Sequence, residues 1–181
     1  MKKILFAVVA FCMLQAGAFA QTNFEELTLE KALEKAKVGN KLVFVDTYTS
    51  WCMPCKYMAN TIFPQKEMGD FLNSRFVCVK YNTEEGEGSE IMKRYGISAF
   101  PTFLILTPDG EVRHKIVGGS EATADFIKRV AEGLDEDTAL GTLTRKYEAG
   151  ERDVFFLAKY AKALLTIDDP KVLEIAGLLI E

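Results

Sequence analysis

One junction limits what this chain can fold into: the apolar run Leu42-Val43-Phe44-Val45, followed closely by Cys52-Met53-Pro54-Cys55. Four apolar residues in a row, rich in β-branched and aromatic types, read as a short strand buried on both faces. Such a strand belongs at the centre of a sheet covered by helices on either side. Pro54 then fixes where the next element begins. Proline is accepted only in the first turn of a helix, where its missing N–H would have had no partner and its φ is already helical. The helix therefore starts at or just after Cys52, and the cysteine pair sits where a strand hands over to a helix.

The flanking segments build an α/β fold around this junction. Thr28 can cap a helix whose apolar residues Leu29, Ala32, Leu33 and Ala36 recur at helical spacing and which ends near Gly39-Asn40. Residues 65–73 read as a short helix and 75–81 as a second strand, while the acidic, glycine-containing stretch 84–89 reads as an exposed loop. A helix over 90–95 stops at Gly96. Pro101 introduces a strand over 102–106, and Thr107-Pro108-Asp109-Gly110 turns it back into 111–117 as a hairpin. Gly118-Gly119 ends the hairpin and a helix over 122–133 closes the unit. Helices and strands in this order predict a mixed sheet with helices on its faces.

Beyond residue 135 the texture is helical, with segments over 138–149, 153–166 and 170–181 and no strand signal. The second carries Val154, Leu157, Ala158, Ala161, Leu164 and Leu165 on one face. These helices cannot bury that face alone, so they either dock on the preceding domain, which is the default, or form an incomplete helical region.

Residues 1–20 read as a cleaved signal peptide: Lys2 and Lys3, an apolar stretch over 4–14, and the small-residue pattern Ala18-Phe19-Ala20. The stretch is broken by Gln15 and Gly17 and is shorter than the ~20 residues of a spanning helix, so no stable membrane insertion is expected after cleavage. Cys12 follows bulky Phe11, which ranks lipid modification behind cleavage. The division is thus 1–20 signal peptide, 21–134 main domain and 135–181 helical extension, in an exported, periplasmic or equivalent location. The net charge of −4, with no Lys/Arg cluster outside the extreme N-terminus, excludes nucleic acid as a partner.

Cleavage leaves Cys52, Cys55 and Cys78, too few for a disulfide scaffold. A zinc site needs four ligands, and one pair, a remote Cys78 and the lone His114 do not supply them, so no metal is expected. Disulfide exchange needs a thiolate to attack and a second thiol to resolve the mixed disulfide. At a helix start the first sulfur meets unpaired N–H groups and the positive end of the helix dipole, which can lower a thiol pKa from about 8.5 into a range of roughly 3.5 to 7.5. Cys52 is then the nucleophile and Cys55, one turn on, the resolving thiol. No cofactor beyond a Cys52–Cys55 disulfide is implied. The competing reading is an inert structural bridge. The redox reading requires the first sulfur to lose its proton near neutrality and not to be walled off from solvent.

Two segments carry a resemblance. Residues 41–56, KLVFVDTYTSWCMPCK, look like the first central strand and active-site motif of the thioredoxin family, and residues 94–119, RYGISAFPTFLILTPDGEVRHKIVGG, resemble its second half. The match runs over about 24–134, and Thr61-Ile62-Phe63 with 71–82 looks closest to the exported thioredoxin-like domains of thiol:disulfide interchange proteins. The resemblance implies a thioredoxin fold, here with a C-terminal helical extension, and Pro101 as a cis-proline facing the cysteines. It also implies a substrate-facing surface of Trp51, Met53, Pro54 and Phe100, with the Phe100 backbone pairing with an extended substrate segment. Asp46 matches the family's buried acid, whose desolvation would raise its pKa and let it accept the Cys55 proton through a water. Lys80 matches the nearby lysine that would oppose that rise.

By the same resemblance Trp51 and Tyr48, flanking the motif, would limit water access and offer a face to a substrate. Plainer alternatives stand beside these readings: a trans Pro101 opening an edge strand, Asp46 at an exposed strand end, a solvent-facing Lys80, and ordinary packing for Trp51 and Tyr48. Cys78 is expected to be a buried apolar residue, and His114, among charged neighbours in the outer hairpin, receives no role. The activity implied is thiol:disulfide exchange with protein substrates, in the reducing direction, recycled by a membrane thiol reductant. The rival readings are a non-enzymatic binding module and a disulfide oxidase or isomerase.

Overall fold

Thr28 turns the chain into the first helix of the computed structural model, which describes residues 21–180. The signal-peptide reading and Cys12 lie outside the described residues. The Thr28 hydroxyl accepts the Lys31 N–H at 3.4 Å, and α1 (Leu29–Gly39) ends at Asn40, whose φ of 48° closes the helix. Then β1 (Leu42–Tyr48) runs into α2 (Met53–Tyr57), which continues through a π-helical turn, Met58–Ile62. α3 (Lys66–Arg75), β2 (Phe76–Asn82) and α4 (Gly86–Arg94) follow, and the unit closes with β3 (Thr102–Leu106), β4 (Val112–Val117) and α5 (Thr123–Glu132). The sheet order is β2-β1-β3-β4, with β1 parallel to β2 and antiparallel to β3. The central place expected for the 42–45 run is the one observed.

Two boundaries depart from expectation. β1 extends three residues past the apolar run, so Asp46 lies inside the strand. The acidic stretch 84–89 is not a loop throughout: α4 begins at Gly86. Gly88 explains why glycine stands inside a helix, since a Cβ there would sit 1.9 Å from the Asn82 carbonyl oxygen. The glycine lets α4 pack directly on the end of β2.

Strand alternation divides the core. Val43 and Val45 face α1 and α4 together with Leu29, Ala32, Ile91 and Leu104. Phe44 faces α2, α3 and α5, in a cluster with Phe63, Leu72, Phe103 and Phe126. Asp46, two residues after Phe44, shares this aromatic side.

The C-terminal helices α6 (Leu140–Glu148), α7 (Val154–Leu165) and α8 (Lys171–Leu178) enclose their own cluster, including Leu143, Tyr147, Leu157, Tyr160 and Ile175. The buried face of α7 is rotated from the expected one. Leu157, Tyr160 and Leu164 are buried, whereas Val154 and Leu165 are 55% and 63% exposed. Tyr160 sets this face because it packs on Tyr147 and its hydroxyl bonds Thr144.

The extension docks on β4. A Cβ at Gly141 would lie 2.4 Å from the Val112 carbonyl oxygen, so backbone meets backbone there. His114, given no role from its place among charged neighbours in the outer hairpin, is buried, and its Nδ1 accepts the Leu140 N–H at 3.2 Å. Burial, then the Arg129 and Arg113 charges, lowers its pKa to about 4. A depressed histidine pKa means that the unfolded chain binds the proton more tightly. The stability is therefore complete above roughly pH 6.5 and is lost as pH falls toward 4, by roughly 3 kcal/mol in all. His114→Asn, which keeps an acceptor but does not titrate, is expected to abolish this acid-dependent loss in denaturant melts at pH 7 and pH 4.

Candidate functional site

The strand-to-helix junction delivers the two cysteines as a bonded pair. Cys52 is the N-cap of α2, Pro54 lies in its first turn, and Cys52 and Cys55 form a disulfide with Cα atoms 5.3 Å apart. The Cys55 backbone N–H points at the Cys52 sulfur, 3.1 Å away. That contact is the stabilisation a thiolate would find there once the bond is reduced.

Access to the pair is narrow but not closed. Cys52 is 3% exposed and Cys55 6%. What stands open around them is the apolar rim of Trp51 (65%) and Met53 (70%). Trp51 meets the edge of the Phe100 ring at 6.1 Å. The Phe100-Pro101 peptide is cis. Pro54 lines a groove of about 600 Å³ with Tyr57, Gly119, Ser120 and Glu121. Gly119 fits there because a Cβ would press on Met58 at 3.2 Å, with Pro101 at 3.9 Å.

Asp46 is buried behind the pair. It lies opposite Lys80 in the β1–β2 register and opposite Phe103 in β1–β3. Burial on the aromatic side pushes its carboxyl pKa up to about 7, with Lys80 pulling the other way. Asp46, Cys55, Lys56 and Lys80 line a common cavity of about 220 Å³ with Tyr48 and Thr49. Lys80 itself is exposed, and its ammonium lies 5.9 Å from the centre of the Phe24 ring. Cys78 is buried on the same strand, with burial raising its thiol to about 12, which makes it an inert apolar residue.

Sequence reasoning missed Glu84. Its carboxylate accepts the Ser50 N–H at 2.7 Å and the Trp51 indole N–H at 3.0 Å, tying the active loop to the β2–α4 turn. Hydrogen bonds from Ser50 and then Trp51 hold its pKa below the ordinary carboxylate range. Nothing local marks this residue, since Glu84 is one acid among several in the stretch 84–90. Tyr57, whose hydroxyl donates to the Glu121 carbonyl at 3.0 Å, and the orphaned Thr22 and Thr49 hydroxyls were missed for the same reason. Among the described residues no cluster of three or more acids, histidines or cysteines could hold a metal, and no helix is long and apolar enough to cross a membrane.

The pattern of residues 29–133 matches the family model described as a thioredoxin-like domain. The chain is 32% identical over 104 residues to the thiol:disulfide interchange protein DsbD of Pseudomonas fluorescens, covering 56% of this chain and 18% of that protein. It is 33% identical over 119 residues to the chloroplastic thioredoxin Y of Oryza sativa, covering 66% of this chain and 67% of that one. A solution structure from Bacteroides thetaiotaomicron, described as a candidate disulphide-isomerase, superposes with a TM-score of 0.58 at 39% identity, covering 64% of this chain and 95% of that one. The chain thus spans less than a fifth of the interchange protein it matches.

Proposed function

The chain belongs to the thioredoxin-like family, and we propose on that premise that it is a thiol:disulfide oxidoreductase that reduces disulfides of protein substrates outside the cytoplasm. The observation that carries the reading is the Cys52–Cys55 bond at the head of α2, with the Cys55 N–H aimed at the Cys52 sulfur. In the reduced protein the Cys52 thiolate attacks a substrate disulfide and forms a mixed disulfide. Asp46 takes the proton of Cys55, whose sulfur then displaces the substrate. A carboxyl with a pKa near 7 suits this, since it is partly ionised at working pH and strong enough a base to accept the proton.

The rim of Trp51, Met53, Pro54 and Phe100 is where a substrate would lie, beside cis Pro101. A reductase in an oxidising space needs a membrane thiol reductant to recycle it, and the likeness to an interchange protein supports a partner of that class. Export rests on the N-terminal pattern over 1–20. The direction follows from the reduction potential. Equilibration of the Cys52–Cys55 pair against glutathione buffers is expected to give a value near about −270 mV, and one near −120 mV would make the protein an oxidant and overturn the reductive assignment.

A further inference from the structure

We propose that Asp46 exchanges its proton with solvent through a second chamber, roofed by residues 21–24, in which the Thr22 hydroxyl is the positioning group. The proposal deepens the function above and rests on it.

Two cavities meet at Asp46, Ala59 and Lys80. The first, described above, holds Cys55 and Thr49. The second, of about 250 Å³, has Phe63 and Pro64 on one side and Gln21, Thr22, Asn23 and Phe24 on the other, and does not include Cys55. Among the described residues, three buried side-chain oxygens have no protein partner: Thr49 Oγ1, Asp46 Oδ1 and Thr22 Oγ1. One belongs to the first cavity, one to the second, and the carboxylate between them belongs to both. A buried oxygen without a partner loses the hydrogen bonds that water gave it, so folds rarely leave one bare. Three of them along two adjoining cavities, each large enough for water, mark a hydrated path rather than three independent defects.

The roof is built rather than draped. The Thr22 N–H donates to the Phe63 carbonyl at 2.9 Å, the Glu25 N–H to the Cys78 carbonyl at 2.8 Å, and the Phe24 ring meets Phe63 edge-on at 4.9 Å. Thr22 is only 7% exposed. The titratable groups facing Asp46 are Lys80 from β2, Lys56 from α2, Tyr48 from its own strand, and Cys55. In the second chamber Lys80 is the only one of these.

The chemical need is specific. In the resolving step the Cys55 proton passes to Asp46, the Cys55 sulfur bonds to the Cys52 sulfur, and the Cys52–substrate bond breaks with its electron pair leaving on the substrate sulfur. A substrate seated over Trp51 and Met53 covers the cysteine side while this happens. Proton loss from Asp46 competes with proton return to Cys55, so an outlet the substrate does not cover speeds the net step.

Mixing reduced protein with dithiobis(nitrobenzoate) separates the steps, because attack by Cys52 and resolution by Cys55 each release one coloured thiolate. Thr22→Val is expected to leave the first phase unchanged and to slow the second by about threefold to tenfold, a small part of the roughly 10²–10⁴-fold that positioned acid–base groups supply. Thr22→Ser should restore it, and the pH profile of the second phase alone should move. Ala59→Leu, which narrows both cavities from the helix side, should reproduce the effect and decides the matter if Thr22→Val folds poorly. A second phase unaltered in Thr22→Val or Ala59→Leu but slowed in Asp46→Asn overturns the outlet and leaves the role of Asp46 standing. A second phase unaltered in Asp46→Asn removes the acid–base reading itself, and the outlet with it.

Discussion

Cys52→Ser is expected to reduce protein disulfides no faster than the dithiol reductant alone, a loss of roughly three orders of magnitude or more, because a serine hydroxyl at a helix start stays protonated where a thiol does not. Insulin precipitation in the presence of a dithiol is a sufficient assay. Cys55→Ser should behave differently. It keeps the attacking sulfur at the head of α2, so it should accumulate as a mixed disulfide with substrate rather than lose reactivity. This pair of outcomes separates an exchange enzyme from a binding module whose bridge is only structural. A module would keep its partner in both variants, and an unchanged insulin rate in Cys52→Ser would end the redox assignment. The small exposure of Cys52 sharpens the test, since a substrate has to reach that sulfur across the Trp51 and Met53 rim.

Asp46→Asn is expected to stabilise the protein at pH 8 and to slow the resolving step. The carboxyl titrates near 7 in the fold, against roughly 4 in an unfolded chain. A raised carboxyl pKa means that the folded state holds the proton more tightly. The favourable contribution is complete below about pH 4 and is lost as pH rises to 7, beyond which the fold carries a buried charge. Three pKa units correspond to roughly 4 kcal/mol, so urea melts should show a gain of that order for Asp46→Asn at pH 8 and almost none at pH 4. His114 tilts stability the opposite way over the same range, so the wild-type profile is a partial cancellation and only the two variants expose the separate slopes. Equal stability of wild type and Asp46→Asn at pH 8 would show that the acid is not desolvated. A less reactive but more stable Asp46→Asn is the trade expected when a buried charge is kept for chemistry.

The sequence by itself determined whatever depends on neighbours within a few residues. Four apolar residues sufficed to place β1 at the centre of the sheet, because a strand without polar alternation has to be covered on both faces. Thr28, Asn40 and Pro54 marked helix ends through their own backbone and side-chain chemistry, and the i, i+3 spacing put both sulfurs on one turn. The tertiary structure decided what depends on residues far apart in the chain. Asp46 acquires its pKa from Phe44, Phe63 and Phe103 on one packed side and from Lys80 across the sheet. Glu84 reaches back to Trp51, His114 receives the N–H of Leu140, and Tyr160 rather than Val154 faces inward because Tyr147 is there to meet it. Burial and long-range pairing fix charge states and hydrogen-bond partners, and neither quantity is encoded in the spacing of residues along one segment.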